Sequence, residues 1–251
     1  MGRPSRQAKG GVVYHVLNRR VLRLPLFEGE GDYLAFLRVL GEAMDREDAP
    51  QLFGFCLMPN HWHLLVRPAE DGQLSRWMQW LTVTHTHRWH KHHDTAGTGP
   101  VYQGRFKSFP VQTGEPFLIV MRYIEGNPLR ANLVTRVQDW RWSSLGLRRA
   151  TGLTIEERDL RDVLDDWPVD APLQWTRRVN QGPGQEDVDA LARCIAKGTP
   201  YGGARWVQQG AARRGVGATL RPRGRPRKQK SSWHLFLGRP ISDRRRVASE
   251  F

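Results

Sequence analysis

Two histidines separated by a single residue form the most informative spacing in this sequence. His61 and His63 flank Trp62 in a run that continues into Leu-Leu-Val at 64–66, a composition that predicts a β-strand. Because alternate residues of a strand share a face, both imidazoles should point to one side and Trp62 to the core. Two adjacent imidazoles make half of a divalent-metal site. The spacing alone is also compatible with two unrelated polar residues on the exposed face of a half-buried strand.

A second candidate pair lies about 60 residues downstream. Tyr123 and Asn127 are four residues apart, so on a helix they share a face. An amide oxygen can serve as a third metal ligand, and the tyrosine hydroxyl beside it can serve as a nucleophile. Pro128 disfavours helical geometry at Asn127, so we expect the pair in a last, distorted turn. From this pattern alone, an ordinary core tyrosine on an amphipathic helix is the commoner explanation of Tyr123.

The two motifs together resemble a known family. Met-Pro-Asn-His-Trp-His-Leu-Leu-Val at 58–66 and Tyr-Ile-Glu-Gly-Asn-Pro-Leu-Arg-Ala at 123–131 are similar to the motifs of single-tyrosine HUH transposases. In detail they resemble the REP-associated tyrosine transposases of bacteria. Supporting segments are Tyr-His-Val-Leu-Asn-Arg at 14–19 and Val-Tyr-Gln-Gly-Arg-Phe-Lys-Ser-Phe at 101–109. Trp62 departs from the family pattern only in size, because smaller aliphatic residues are commoner there.

The resemblance implies a metal-dependent endonuclease and strand transferase that acts on single-stranded DNA, in this group on REP-type hairpins. Tyr123 would be the catalytic nucleophile and would form a 5′-phosphotyrosine, while His61, His63 and Asn127 would hold Mg²⁺ or Mn²⁺. We expect basic side chains of the matching segments and of the C-terminal tail to bind DNA. These are Arg19, Arg105, Lys107, Arg122, Arg130, Arg223 and Arg225.

Two other features could be mistaken for a metal site or a catalytic nucleophile. The segment 84–93 holds five histidines, of which only the three-apart pairs His87/His90 and His90/His93 would share a helix face. Neighbouring positive charges disfavour a metal ion there. We therefore interpret this segment as the edge of a helix that faces nucleic acid. Tyr102 is a rival nucleophile, but no helical amide lies four residues beyond it.

The overall charge favours a polyanionic partner. The 251 residues contain 39 Lys and Arg against 25 Asp and Glu, for a net charge of +14, and they include ten tryptophans. A positive field with interleaved aromatic rings is typical of nucleic-acid binding. No apolar run approaches the roughly 20 residues of a membrane span, and Cys56 and Cys194 lie far apart without a CxxC motif. We therefore expect a cytoplasmic, nucleoid-associated protein without a small-molecule substrate, and favour a monomer.

The elements that position these residues follow from hydrophobic periodicity. Strands are predicted at 12–17, 52–58, 61–66 and 106–111, and helices at 32–45 (with Asp32 as N-cap), 74–92 and 116–124. This order predicts an α+β, ferredoxin-like split βαβ domain: an antiparallel sheet with helices on one face and the tyrosine on the helix after the last strand. We assign residues 1–145 to the catalytic domain, 146–220 to a helical DNA-binding extension and 221–251 to a basic tail expected to be disordered. Arg223-Gly-Arg-Pro in that tail resembles an AT-hook.

Two alternatives remain open. The same scaffold could be a domesticated DNA-binding protein with little cleavage activity, although all four mapped residues are present. It could also be an RNA-binding module, but the aromatic pattern of such sheets is missing. We further expect the residues after 145 to add affinity and substrate choice and not chemistry. Truncation near residue 150 would then spare cleavage at high protein concentration, unless the extension packs across the site.

Overall fold

A computed structural model describes residues 8–213 of the chain. All of them fall within the first of two compact units, which extends to Arg221. The predicted basic tail, with Arg223 and Arg225, lies outside the described residues.

Four antiparallel strands form one sheet. They are β1 (Val13–Arg19), β2 (Gln51–Met58), β3 (His61–Arg67) and β4 (Lys107–Val111), in the order β2-β3-β1-β4. The tight Pro59-Asn60 connection makes β2 and β3 a hairpin, as predicted. β4 is an edge strand, and the edge position explains how Pro110 is accommodated within it. The predicted α+β, ferredoxin-like fold is confirmed.

The two crossover helices cover one face of this sheet. They are α1 (Glu30–Met44) and α2 (Gln73–His92), and their apolar residues form a single core with the inward side chains of the strands. Trp62 is fully buried in this core and packs against Phe36 of α1. The predicted N-cap is wrong by three residues: Gly29 caps α1, and Asp32 lies in its first turn. The Asp32 carboxylate instead accepts a hydrogen bond from the Glu28 backbone N–H.

The tyrosine helix packs on the opposite face. α3 (Glu115–Glu125) begins with Pro116 in its first turn, and after Gly126 the chain forms one further helical turn, α4 (Asn127–Arg130). The apolar residues of α3 form a second core with those strand residues that alternate away from α1 and α2. Gly54 permits this close approach, because a Cβ atom there would lie 2.7 Å from the Met121 sulfur and 2.9 Å from the Ser144 hydroxyl.

Between residue 140 and residue 213, where the description ends, the chain forms five helices. These are α5 (Ser144–Arg149), α6 (Ile155–Asp162), α7 (Trp175–Gln181), α8 (Gln185–Lys197) and α9 (Ala204–Arg213). Thr154 and Glu157 form a capping box at the start of α6. Leu191 and Cys194 of α8 belong to the same buried core as α3. The segment after residue 145 therefore packs against the tyrosine helix.

None of the helices described between residues 8 and 213 is both long enough and apolar enough to cross a membrane.

Candidate metal and nucleic-acid site

His61 and His63 lie next to each other on the face of β3 that α3 covers. Their ring centroids are 4.9 Å apart and the rings are nearly perpendicular. His63 is buried, whereas His61 is partly exposed at the end of the strand. The alternation of the strand produces this arrangement, because Trp62 between them points into the opposite core.

A third histidine, which the sequence analysis missed, completes the cluster. His15 of β1 is fully buried, and its Nε2 lies 2.8 Å from Nδ1 of His63, so one of these nitrogens donates a hydrogen bond to the other. The signal was present in the alternation of β1, since His15 shares a face with Val13 and not with Tyr14 or Val16. The register of β1 against β3, which no sequence pattern supplied, brings the two imidazoles together.

One nitrogen of the histidine cluster is available to a divalent cation. Nε2 of His63 is buried and has no hydrogen-bond partner within the described residues. If His63 donates its Nδ1 proton to His15, this Nε2 carries a free lone pair, and a hydrogen-bonded partner of this kind commonly orients a metal-binding imidazole. Burial lowers the pKa of His61 to about 4 and holds the pKa of His63 well below its usual value, so both rings are neutral, as metal binding requires.

Tyr123 lies against this cluster. Its half-buried ring on α3 is 6.1 Å from the His63 ring and 6.2 Å from the His15 ring, measured between centroids. The Arg130 guanidinium lies 4.1 Å from the centroid of the tyrosine ring and also donates a 2.7 Å hydrogen bond to the Tyr123 carbonyl oxygen. Arg130 thus holds the tyrosine through a cation–π contact with the ring and a hydrogen bond to the backbone.

Asn127 is placed by the break between α3 and α4. It is largely buried, and its Oδ1 accepts a 2.7 Å hydrogen bond from Arg130 while its Nδ2 donates to the Ile124 carbonyl at 3.3 Å. Arg130 therefore connects Asn127 with Tyr123. An amide oxygen has two lone pairs, so the bond from Arg130 leaves one acceptor position on Asn127.

Three of the predicted DNA-binding residues line a single groove. Arg19, Arg105 and Lys107 surround a cavity of about 250 Å³ together with Ile195 of α8. Arg19 is at the end of β1, paired in register with His61. The groove therefore begins beside the histidine cluster, and its charge suits a phosphate backbone.

Several guanidinium nitrogens of arginines in the matching segments lack a hydrogen-bond partner among residues 8–213. Nε of Arg19, Nε of Arg122 and Nη1 of Arg130 are buried and make no hydrogen bond within the described residues. Burial lowers the pKa of Arg19, as does the nearby charge of Arg23, while Tyr123 opposes both effects. Unpaired buried donors are costly in a free protein, and phosphate oxygens are the acceptors that arginine binds best.

The rival tyrosine belongs to the core. The Tyr102 hydroxyl accepts a hydrogen bond from Trp62 Nε1 at 3.0 Å and lies 2.8 Å from Nδ1 of His85. Burial raises the pKa of Tyr102. It lies on the α1 and α2 side of the sheet, away from His63, so its hydroxyl is part of a buried network.

Within the part of the chain that the structure describes, one group of side chains that could hold a metal ion lies where the histidine-rich end of α2 meets α1. Asp32, His92 and His93 each offer a ligand atom, and these atoms lie within 4.8 Å of one another. The pairs three residues apart that the sequence suggested are not the ones that meet. The helix ends at His92, so its last residue and the C-cap both turn towards α1.

Comparison with known proteins gives one family match. Residues 9–127 match the family described as "Transposase IS200 like", which confirms the resemblance to insertion-sequence transposases predicted from the sequence. A solved structure described as a REP-associated tyrosine transposase bound to a REP hairpin is similar, with 23% identity and a TM-score of 0.47, and the match covers 62% of this chain and 90% of that one. No curated protein matches the sequence.

Proposed function

We propose that this chain, whose residues 9–127 match the family described as "Transposase IS200 like", cuts and rejoins single-stranded DNA through Tyr123. The observation that carries this proposal is the contact of the Tyr123 ring with the buried His15–His63 pair, beside an imidazole nitrogen that has no partner within the described residues. A tyrosine with only a packing role would not require two buried imidazoles and an arginine against its ring.

In the proposed reaction, the Tyr123 oxygen attacks the phosphorus of a phosphodiester and the 3′-hydroxyl leaves. The product is a 5′-phosphotyrosine, which keeps the energy of the broken ester, so attack by a 3′-hydroxyl can rejoin the strand without ATP. A phenol with a pKa of about 10 is a weak nucleophile until it loses its proton. Arg19 and Arg130 both interact electrostatically with Tyr123, so two positive charges would lie beside the phosphate that its oxygen attacks.

His61, His63 and Asn127 would hold the divalent cation. Such an ion supplies Lewis acidity to a phosphate oxygen and stabilises the charge that develops there. Two imidazoles suit Mn²⁺ better than Mg²⁺, which prefers oxygen ligands. His15 would act as the hydrogen-bond partner that keeps the His63 ring in its ligating orientation.

The substrate we propose is a DNA hairpin with a single-stranded flank, of the REP type that the sequence motifs imply, bound in the cytoplasm in association with the nucleoid. The groove lined by Arg19, Arg105 and Lys107 would follow the strand away from Tyr123. Arg122 and Arg130 would supply further phosphate contacts with their unpaired guanidinium nitrogens.

One observation favours a second candidate function, a DNA-binding protein with weak cleavage. Oδ1 of Asn127 already accepts a hydrogen bond from Arg130. A third ligand that is engaged in this way binds a cation less readily, which would slow catalysis while leaving the DNA-binding groove intact.

Incubation of an end-labelled hairpin oligonucleotide with the protein and Mn²⁺, followed by denaturing electrophoresis, tests the proposal. We expect a covalent protein–DNA adduct that disappears in Tyr123→Phe. Tyr102→Phe is the matched control, because it removes a hydroxyl from the other side of the sheet, and we expect its adduct to persist. An adduct that survives in Tyr123→Phe would show that the assignment of the nucleophile is wrong.

The metal assignment has a separate test in the same assay. His63→Ala should abolish the adduct and leave hairpin affinity largely unchanged, because phosphate contacts dominate binding. A protein that binds the hairpin and forms no adduct even without mutation would support the second candidate function.

A further inference from the structure

The end of α2 and the start of α1 meet at a cluster of side chains that the proposed reaction does not use. Asp32 Oδ1 lies 2.9 Å from His93 Nε2 and 4.0 Å from His92 Nε2. These atoms belong to helices on the Trp62 face of the sheet, whereas His61 and His63 lie on the α3 face. The cluster is therefore separate from the candidate active site.

Two of the three side chains are held in place by other contacts. The second oxygen of Asp32 accepts the Glu28 N–H at 2.8 Å, and the Asp32 side chain is only 8% exposed. The His93 ring stacks on Trp89 with centroids 4.1 Å apart. Trp89 is itself fixed by a hydrogen bond from its Nε1 to the Leu26 carbonyl. Rigid support of this kind around potential ligands reduces the entropy lost when an ion binds.

The third side chain is free to complete a site. His92 is 73% exposed and projects from the last turn of α2. A rotation of this exposed ring can bring Nε2 into the coordination distance of about 2.0 to 2.1 Å from an ion at the Asp32–His93 pair. Solvent on the His92 side would supply water for the remaining positions.

We propose that Asp32, His92 and His93 bind a transition-metal ion of the Zn²⁺ class that joins the first turn of α1 to the end of α2. Two imidazoles and one carboxylate are a donor set for zinc and not for Mg²⁺ or Ca²⁺. The ion replaces the hydrogen bond between Asp32 and His93, and any proton held there is released to solvent. The proposal does not depend on the proposed function.

A positive charge limits the expected affinity. Arg20 stacks on Trp89 with its guanidinium carbon 3.8 Å from the ring centroid, and it interacts electrostatically with Asp32. It therefore competes with a cation for the carboxylate charge. We expect micromolar and not nanomolar binding.

The test uses the full chain without an affinity tag, in a His61→Ala/His63→Ala background that removes the other candidate metal site. A titration with Co²⁺ that is monitored by visible absorption reports the stoichiometry and the coordination of the bound ion. Zn²⁺ should displace the Co²⁺ and remove this absorption. We expect one equivalent to bind. Adding His92→Ala should weaken binding at least tenfold, whereas adding His87→Ala, an exposed histidine on the same helix, should leave it unchanged.

Thermal unfolding with and without Zn²⁺ gives a second measurement. The background protein should melt at a higher temperature with Zn²⁺, because an ion that binds only the folded state stabilises it. The His92→Ala protein should keep its metal-free melting temperature and lose most of that increase. Equal Co²⁺ affinity in the His92→Ala and His87→Ala proteins, or no bound equivalent in the background, would overturn the proposal.

Discussion

Replacing Trp175 by phenylalanine would remove one hydrogen bond from a fully buried carboxylate in the tyrosine helix. Glu125, two residues after Tyr123, has no exposed surface, and its Oε2 accepts a 2.7 Å hydrogen bond from Trp175 Nε1. Its Oε1 accepts bonds from Ser144 at 2.6 Å and from Arg148 at 3.0 Å. All three donors come from the segment after residue 140, so this carboxylate links that segment to α3.

The size of the effect follows from the acceptor, a carboxylate that forms an ion pair with Arg148 at 3.0 Å. A hydrogen bond to an ionised group contributes about 1.5 to 3 kcal/mol, compared with about 1 kcal/mol for a neutral pair. Phenylalanine keeps an aromatic ring against Trp167, so most of the loss is this bond. Burial already raises the pKa of Glu125, and the loss of a donor makes ionisation still less favourable. We expect Trp175→Phe to lower the free energy of unfolding by about 2 kcal/mol and, for a domain of this size, the melting temperature by roughly 4 to 8 °C.

Trp167→Phe is the matched control. Trp167 is also half-buried, and its Nε1 donates at 3.1 Å to the Phe53 backbone carbonyl, a neutral acceptor. We expect a loss of about 1 kcal/mol for this variant. Urea unfolding followed by far-ultraviolet circular dichroism avoids the change in tryptophan fluorescence. If Trp175→Phe costs no more than Trp167→Phe, the buried carboxylate is not the link between the extension and α3, and the reasoning fails.

Three further predictions follow from packing and charge. Truncation after residue 150 should leave an unstable protein that forms no adduct, because it removes Trp175 and the buried Leu191 of α8. This differs from the expectation drawn from the sequence. A fragment that is folded by circular dichroism and active in the adduct assay would contradict the prediction. Truncation after residue 213 should preserve the adduct. It should reduce the slope of log hairpin affinity against log salt concentration by about 0.7 to 0.9 per lost phosphate contact. An unchanged slope would show that the tail does not contribute to DNA binding. Burial lowers the pKa of His85 from 6.5 to about 3, so below pH 6.5 only the unfolded chain takes up this proton, and His85 alone should lower the free energy of unfolding by about 1.4 kcal/mol per pH unit. In metal-free buffer, His85→Gln should remove the contribution of one proton from the pH dependence of the free energy of unfolding. Identical pH dependences for the variant and the unmutated protein, measured by urea unfolding between pH 6 and 4, would contradict this prediction.

Short-range patterns were sufficient for the elements of the fold and for the candidate residues. Period-two alternation in β3 placed His61 and His63 on one face because side chains of a strand alternate whatever the partner strand is. The hairpin at Pro59-Asn60, the edge position of Pro110 and the helix that carries Tyr123 likewise depend on neighbours in the sequence. Motif spacing then indicated the resemblance, and residues 9–127 match the model of an IS200-like transposase family.

Contacts between residues distant in sequence were decided only by the tertiary structure. His15 meets His63 because β1 pairs with β3 in one particular register, and a shift of one residue would turn His15 to the other face. The approach of Asp32 to His92 and His93 depends on how α1 and α2 cross the sheet. Glu125 finds its three donors only when the extension folds back on α3. Such pairings carry no local signal, because their free energy comes from burial and hydrogen bonds that form after the chain has folded.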